Sequence, residues 1–266
     1  MFPPRRIACL SSETAEICFA LGVGDRVVGR SAYCVRPEAI KRVRVVSSFT
    51  DVRLERIAEV APDLVLTFSD IQADACRDLV RAGRTVLALN QRSLAGVLDA
   101  VRLIGAAVGE PEAAEALVEQ MQARIDAVAA RSAGWTRRPV VYFEEWDDPL
   151  VTGVGWVGEL VALAGGREAF PELSAAPRAP DRVVTGAQVI ARAPDVILGA
   201  WCGKPFHPER VAARPGWQAI PAVRTAHVFG LPDEQVLSAG PALLDGLERI
   251  HELLAAWRRD AAASGG

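Results

Sequence analysis

The sequence predicts an α/β protein with two lobes, each a mostly parallel sheet flanked by helices, joined by a single long helix. Short apolar runs that suit buried strands alternate with helix-forming segments along the chain of 266 residues. The letters APDLVL at 61–66 return as APDVIL at 193–198, in each case after a helix. Between these two halves, residues 110–132 are an unbroken run of helix formers. The repeat is longer than the solenoid units of about 20 to 50 residues, so it indicates two similar lobes.

In the first half, glycine and proline mark where the predicted elements stop. Gly22 and Gly24 end the first helix, which begins at a polar turn that suits an N-cap. Pro62 breaks a helix before a strand, and Gly83 turns the chain into the next strand. The predicted strands are 6–10, 26–29, 63–68 and 85–89, and the predicted helices are 11–21, 54–60, 74–82 and 93–108.

The long central helix has one apolar stripe. Leu117, Met121, Ile125 and Val128 follow one another at three- and four-residue steps, and Pro111 suits the first turn. At about 1.5 Å per residue the helix would be roughly 33 Å long. We interpret it as a rigid strut, which gives an N-terminal lobe at 1–108, a linking helix at 109–133 and a C-terminal lobe at 134–266.

In the second half the same order of elements returns. The predicted strands are 139–143, 195–198 and 226–229, and the predicted helices are 156–163, 187–193, 208–213 and 242–257, followed by a frayed tail. The acidic run after the first of these strands, Glu144 to Asp148, is interpreted as a solvated loop rim.

Composition excludes several classes of protein. A net charge of −3 offers no basic surface for nucleic acid, and no apolar run reaches the length of about 18 residues that a membrane span needs. Five cysteines without a C-x-x-C pair, and an amino end without an apolar leader core, favour a reducing compartment. We therefore expect a cytoplasmic monomer as the chain stands, and a periplasmic or cell-surface protein if a leader is removed from the native chain.

Motifs for enzymatic chemistry are weak. The sequence has no G-x-S-x-G elbow, no P-loop and no G-x-G-x-x-G after a predicted strand. Cys202 lies near Lys204, which would lower the pKa of a thiol, but no base accompanies it. We expect a binding protein without a cofactor of its own, and an enzyme that uses Cys202 is the alternative from a different class.

The chain resembles the helical-backbone substrate-binding proteins of ABC importers for cobalamin, siderophores and haem, most closely the cobalamin branch. The resemblance rests on the letters LSSETAEICFALG at 10–22, VVGRSAYCVRP at 27–37, APDLVLTFSD at 61–70, EWDDPLVTGVGWVGELVALAGG at 145–166, QVIARAPDVILGAWCGKPF at 188–206 and RPGWQAIPAVRTAHVF at 214–229. It implies a large flat ligand, cobalamin or a related corrinoid, held between the lobes by aromatic rings and polar loops. A ferric siderophore or haem, or an intracellular corrinoid-handling protein, are the alternatives.

The resemblance also implies a permease of the vitamin B12 type that docks through one acidic residue on each lobe. Asp74 lies near the expected place in the first lobe. In the second lobe, the helix before APDVIL has Thr185 to Ala187 where that family usually has a glutamate.

Because α/β sheets bind ligands beyond the carboxyl ends of their strands, the loops at those ends carry the predicted site. Trp201 would emerge from a strand tip and either cover the ligand or cap the lobe's core, and Phe68 has the same two alternatives. His207 is the candidate axial ligand of a bound metal. The predicted ligand-binding residues are Ser12, Tyr33, Phe68, Ser69, Glu145, Trp146, Trp201, Cys202, Phe206 and Asp233.

Overall fold

Two compact units make up the computed structural model, which describes residues 2–48 and 51–263. The first unit is Met1–Gln122 with Ala239–Pro241, and the second is Ala123–Ser238 with Ala242–Gly266. Each unit is a sheet flanked by helices, as the sequence predicts. None of the described helices is long and apolar enough to cross a membrane.

The first unit contains a five-stranded parallel sheet in the order β3-β2-β1-β4-β5. Its strand order reverses between β1 and β4, and the carboxyl ends of strands at such a switch point form a ligand-binding crevice in open α/β sheets. A core that includes Leu10, Ile57, Val65 and Leu79 packs helices against the sheet. The elements are β1 Ile7–Cys9, α1 Ser12–Ala20, β2 Val27–Ser31, β3 Val45–Ser47, α2 Leu54–Val60, β4 Leu64–Phe68, α3 Ala73–Arg81, β5 Val86–Leu89 and α4 Leu94–Val108.

The second unit contains a mixed sheet. Strands β10, β9 and β6 are parallel neighbours, β7 pairs antiparallel with β6, and β8 pairs parallel with β6. Its core holds large aromatic side chains, among them Tyr142, Phe170, Trp201 and Trp217. The elements are β6 Val140–Asp147, β7 Leu150–Thr152, α6 Gly155–Leu163, β8 Arg167–Glu168, α7 Gly186–Arg192, β9 Val196–Gly199, α8 Pro208–Ala212, α9 Pro221–Arg224, β10 Val228–Gly230, α10 Asp233–Val236 and α11 Leu243–Ala263.

The central helix α5 spans Pro111–Ser132, close to its predicted bounds. Met121, Ile125 and Val128 are buried as the stripe predicts, while Val118 rather than Leu117 occupies the buried position one turn earlier. The boundary between the two units falls inside this helix, after Gln122.

The repeated APD letters form the same structure twice. Ala61 and Ala193 both take a left-handed backbone conformation, with φ of 38° and 46°, and end the helices α2 and α7. The aspartate two residues later then accepts a hydrogen bond at the beginning of the first strand of the same sheet. Asp63 Oδ2 accepts from the backbone N–H of Arg6, just before β1, at 3.1 Å, and Asp195 Oδ2 accepts from that of Val140, the first residue of β6, at 2.8 Å. The repeat therefore reflects a shared local construction.

Two predicted element ends are wrong by four residues or more, and three short strands are missing from the prediction. β6 does not stop at Phe143 but continues to Asp147 and turns into β7, because the turn at Asp148 and Pro149 lets the two strands pair. The short strands β3, β7 and β8 were not predicted, since each has only two or three residues. The last helix does not end at Trp257 but runs to Ala263.

Candidate ligand-binding site

In the first unit, a buried glutamine joins the two strands at the switch point. Gln72 Nε2 donates to the carbonyl oxygen of Leu10 at 2.9 Å, and its Oε1 accepts from the backbone N–H of Phe68 at 3.0 Å. The side chain thus ties the carboxyl end of β1 to that of β4. Gln72 is not among the predicted site residues, because a glutamine in a polar stretch carries no signal of burial.

The predicted residues of the first unit lie at these strand ends. Ser12 Oγ donates to the carbonyl oxygen of Tyr33 at 2.8 Å, and the Tyr33 side chain is exposed. Ser69 has φ of 68° and caps the following turn by accepting from Ile71 N. Phe68 is buried, with the Arg92 guanidinium 5.3 Å from the centre of its ring. For Phe68 the structure therefore favours the buried strand-end alternative.

In the second unit the acidic run is not a solvated rim. The side chain of Glu144 is fully buried and forms a bidentate ion pair with Arg214, with N–O distances of 2.5 and 2.8 Å. It also accepts from Trp201 Nε1 at 3.1 Å and from the Tyr142 hydroxyl at 3.3 Å. The pKa of Tyr142 is raised by burial and by this carboxylate, so its hydroxyl remains a donor. The expectation of a solvated Glu144 is wrong, because the strand continues and turns this residue into the core.

Glu145 is paired in the same way. Arg182, which is buried, donates to its two carboxylate oxygens at 2.5 and 3.1 Å and also donates to the carbonyl oxygen of Thr152. Glu145 Oε2 further accepts from the backbone N–H of Val154, just before α6 begins. An internal carboxylate therefore occupies the position where the positive end of a helix attracts an anion.

The unpredicted strand β7 changes the interpretation of one glycine motif. Gly153, Gly155 and Gly158 form a G-x-G-x-x-G pattern that follows the unpredicted strand β7 and opens α6. The preceding strand is antiparallel rather than part of a βαβ unit, so the context of a dinucleotide site is missing. A Cβ at Gly153 would lie 2.9 Å from Val157, and one at Gly158 would lie 2.5 Å from Glu168. These two glycines allow close packing.

Lys204 lies between two indole rings at the end of β9. Its Nζ is 3.9 Å from the centre of the Trp146 ring and 5.0 Å from that of Trp201, and it donates to Asp147 Oδ1 at 2.5 Å. A tight turn from Trp201 to Lys204 holds it there: Lys204 N donates to the Trp201 carbonyl oxygen at 3.1 Å, and Gly203 supplies φ of 74°. The three carboxylates of β6, Glu144, Glu145 and Asp147, thus each have a cationic partner.

A cavity of about 380 Å³ opens beside these pairs in the second unit. Of the predicted site residues, Glu145, Trp146 and Cys202 line it. The other lining residues are mostly apolar: Pro149, Val151, Ala179, Pro180 and Val183. The cavity therefore offers an apolar wall with one aromatic ring, one thiol and one neutralised carboxylate.

The remaining predicted residues of the second unit pack or cap. Trp201 is only 2% exposed and belongs to the core, which is the core-capping alternative rather than an exposed ligand face. Phe206 packs against Trp201 with ring centres 4.9 Å apart and covers Gly199. Asp233 Oδ2 accepts from Gly203 N at 2.9 Å and so supports the turn before Lys204.

Cys202 is exposed, but it is not an activated thiolate. Its pKa is raised by partial desolvation of the thiol and by the negative charges of Asp233 and Glu145. Lys204 donates its hydrogen bond to Asp147 Oδ1. The expectation of a lowered Cys202 pKa is wrong.

His207 is half-buried, with Nδ1 3.2 Å from Glu209 Oε1. His227 forms hydrogen bonds with Thr225 Oγ1 and Asp260 Oδ2, and His251 forms one with the Ala164 carbonyl oxygen and stacks on Trp135, so both contribute to the fold. Among the residues that the structure describes, no three histidine, cysteine or acidic side chains are grouped to hold a metal.

Two α/β units, with polar and aromatic side chains at the carboxyl ends of their strands, define a protein of the ligand-binding class. The family model for periplasmic binding proteins matches residues 7–235, and the chain belongs to this family. The sequence is 29% identical to an uncharacterized ABC transporter substrate-binding lipoprotein of Bacillus subtilis (strain 168), over 94% of this chain and 79% of that protein. It is 25% identical to the vitamin B12-binding protein of Vibrio campbellii (strain ATCC BAA-1116), over 94% of this chain and 89% of that protein.

The fold is also that of solved family members. The periplasmic heme-binding protein RhuT from Roseiflexus sp. RS-1, in its apo form, superposes with a TM-score of 0.83 at 25% identity, covering 95% of this chain and 98% of that one. The cytoplasmic expectation is wrong, because the family is one of periplasmic binding proteins and its relatives are periplasmic proteins or a lipoprotein. The odd number of cysteines is not evidence for a reducing compartment here, because Cys9, Cys18 and Cys34 are buried in the core, where they need no pairing.

Proposed function

We propose that this chain is the substrate-binding component of an ABC importer and that its ligand is cobalamin or a related corrinoid. The relatives support the first part, since one is described as an ABC transporter substrate-binding lipoprotein and others bind vitamin B12. The binding site includes the cavity of the second unit, where Trp146 offers an aromatic face.

One observation carries the choice of ligand: the carboxylates of β6 beside the cavity are already paired with cations of the protein, so these cations are not available to an anionic ligand. Glu144, Glu145 and Asp147 are paired with Arg214, Arg182 and Lys204. Haem and most ferric siderophores carry carboxylates or other anionic groups, which need cations that are available to them. A corrinoid carries neutral amide side chains around a flat ring, and these suit an apolar wall with few polar groups.

The cavity also limits what the second unit does alone. A volume of about 380 Å³ lies at the small end of the range for drug-sized ligands and accommodates one edge of a corrin ring, not the whole molecule. We also propose that Tyr33, Ser12 and Ser69 of the first unit are ligand contacts, since they lie at the strand ends of their own sheet.

Binding is tested by titration with cyanocobalamin, haemin and a ferric siderophore, each followed by tryptophan fluorescence and heat. All six tryptophans lie in the second unit, and Trp146 lines the cavity, so a bound chromophore is expected to quench emission. The expected order is cobalamin tightest. No response to cobalamin at tens of micromolar, or tighter binding of haemin or of the siderophore, would contradict the corrinoid assignment.

The location of the ligand is tested with a thiol probe. Cys202 lines the cavity and is exposed, whereas Cys9, Cys18 and Cys34 are buried and Cys76 is half-buried. We expect maleimide to label Cys202 first and saturating cobalamin to slow this reaction, while the Cys202→Ser variant loses the protected signal. Unchanged labelling in the presence of bound cobalamin would place the ligand elsewhere.

For delivery, we propose that Asp74 and Glu209 contact the permease. Asp74 is the second residue of α3, which follows β4, and Glu209 is the second residue of α8, which follows β9. β4 and β9 are the strands of the APD repeat, so the two acids hold corresponding places, and both side chains are exposed. The acid expected at Thr185 to Ala187 is thus proposed to come from the helix after the strand instead.

The docking proposal is tested by Asp74→Lys and Glu209→Lys. Both variants are expected to keep cobalamin affinity, because neither acid lines the cavity, and to lose stimulation of the permease's ATPase activity. Full stimulation by either variant would remove that residue from the proposal.

A further inference from the structure

The ammonium of Lys204 occupies an aromatic cage built by the chain itself. Its Nζ is 3.9 Å from the ring centre of Trp146 and 5.0 Å from that of Trp201, and Asp147 accepts its hydrogen bond at 2.5 Å. A cation within about 6 Å of an indole face is attracted by the ring quadrupole, more strongly when it is partly removed from water. The Lys204 side chain is 37% exposed, so part of its solvation is already replaced by these contacts.

The inner side of this cage is rigid. Trp201 donates its indole N–H to the buried carboxylate of Glu144, which Arg214 fixes from the other side. Phe206 packs on the Trp201 ring. Trp201 is therefore a fixed wall against which the ammonium is held.

The outer side of the cage is the cavity wall. Trp146 donates its indole N–H to the carbonyl oxygen of Asp148 at 3.0 Å and packs against the core of the second unit. Lys204 adds a cation over one face of the ring, 3.9 Å from its centre. Among the described residues that line the cavity, Trp146 is present and Lys204 is not, so the cavity reaches the indole from a side that the ammonium does not occupy.

From these contacts we propose that Lys204 is a positioning residue, which holds the indole of Trp146 as the aromatic wall of the binding cavity. The proposal rests on the proposed function, since Trp146 must contact the ligand. In this role the ammonium affects binding by holding the indole in place, and it does not itself pair with the ligand. The ammonium also draws electron density from the ring, which favours stacking against an electron-rich flat ligand.

The chain offers a direct test without any ligand, because Lys204 and Lys41 are its only lysines. Reductive methylation with ¹³C-formaldehyde labels these two amines and the amino terminus. Lys41 is exposed and pairs with Glu38, which is also exposed, so it is the internal reference. The methyl resonances of Lys204 are expected upfield of those of Lys41 through the ring currents of the two indoles, and coincident resonances would overturn the cage.

The ligand-dependent test compares three variants by titration with cyanocobalamin. Lys204→Met keeps an unbranched side chain one atom shorter but removes the charge, and we expect about tenfold weaker binding, as loss of a partly buried cation–π contact implies. Lys204→Arg keeps a cation that stacks on indole and is expected to restore most of the affinity. Lys41→Met is the matched control and is expected to bind like the wild type.

The outcomes separate the two proposals. Wild-type affinity in Lys204→Met, or a loss in Lys204→Arg as large as that in Lys204→Met, would overturn the positioning role. No binding of cobalamin by the wild type would overturn the proposed function, while the methyl resonances would still decide whether the cage exists. Thermal denaturation of each variant checks that a loss of affinity occurs without a loss of fold.

Discussion

Replacing Glu13 by glutamine should make the first unit more stable at neutral and alkaline pH. Glu13 lies in the first turn of α1, directly beyond the strand-end loop, and its side chain is buried. Its Oε1 has no hydrogen-bond partner among the described residues, and Gly240 packs against its Cβ. Burial raises the pKa of this carboxyl from 4.5 to about 7, which the Ser11 hydrogen bond only partly opposes.

The sign of the effect follows from which state holds the proton. Between pH 4.5 and 7 the folded protein keeps the Glu13 proton and the unfolded chain has lost it, so the free energy of unfolding falls as pH rises. Below this window both states are protonated and the favourable contribution is complete, while above it the contribution is lost. A shift of this size corresponds to about 3 kcal/mol. The neighbouring Cys34 stays neutral throughout, because burial raises its pKa to about 12.

Urea denaturation followed by circular dichroism from pH 5 to 8.5 measures this effect. Glu13→Gln is expected to exceed the wild type by no more than about 1 kcal/mol at pH 5 and by about 3 kcal/mol at pH 8. Glu55→Gln, which changes an exposed carboxylate of the same unit, is the control and should stay within about 0.5 kcal/mol of the wild type at every pH. A constant difference between Glu13→Gln and the wild type across this range would show that the Glu13 carboxyl does not gain or lose a proton on unfolding.

Two further predictions concern the second unit. Asp195→Ala should lower the free energy of unfolding by about 1 to 2 kcal/mol, since the backbone N–H of Val140 loses a charged acceptor. Asp195→Asn is the control, because it retains an acceptor oxygen. An equal loss in both variants, measured by urea denaturation, would show that this hydrogen bond is not responsible. Arg214→Met should lower the free energy of unfolding by about 3 kcal/mol, because it leaves Glu144 buried without its cation, and it should shift tryptophan emission. Arg210→Met replaces an exposed arginine nearby and should change neither quantity. A similar effect of the two variants would count against the importance of the buried pair.

Local patterns in the sequence predicted the framework well, and long-range pairing was beyond them. The APD repeat revealed both halves, since helix end, left-handed alanine and strand start lie within a few consecutive residues. The acidic run of β6 was misread, because the partners of Glu144 and Glu145 are Arg214 and Arg182, which are 70 and 37 residues away. Four carboxylates in five residues look solvated until the cations that pair with three of them are known.

The short segment Ala239–Pro241 has a consequence for how the protein is made. It belongs to the first unit, where Gln91 Nε2 donates to the Ala239 carbonyl oxygen and Gly240 covers Glu13. During synthesis from the amino end, the nascent chain has all of this unit except that segment by residue 122. At about 5 to 20 residues per second the ribosome needs on the order of ten seconds more to supply it. A gene fragment that ends before residue 239 therefore encodes the first unit with its last piece missing.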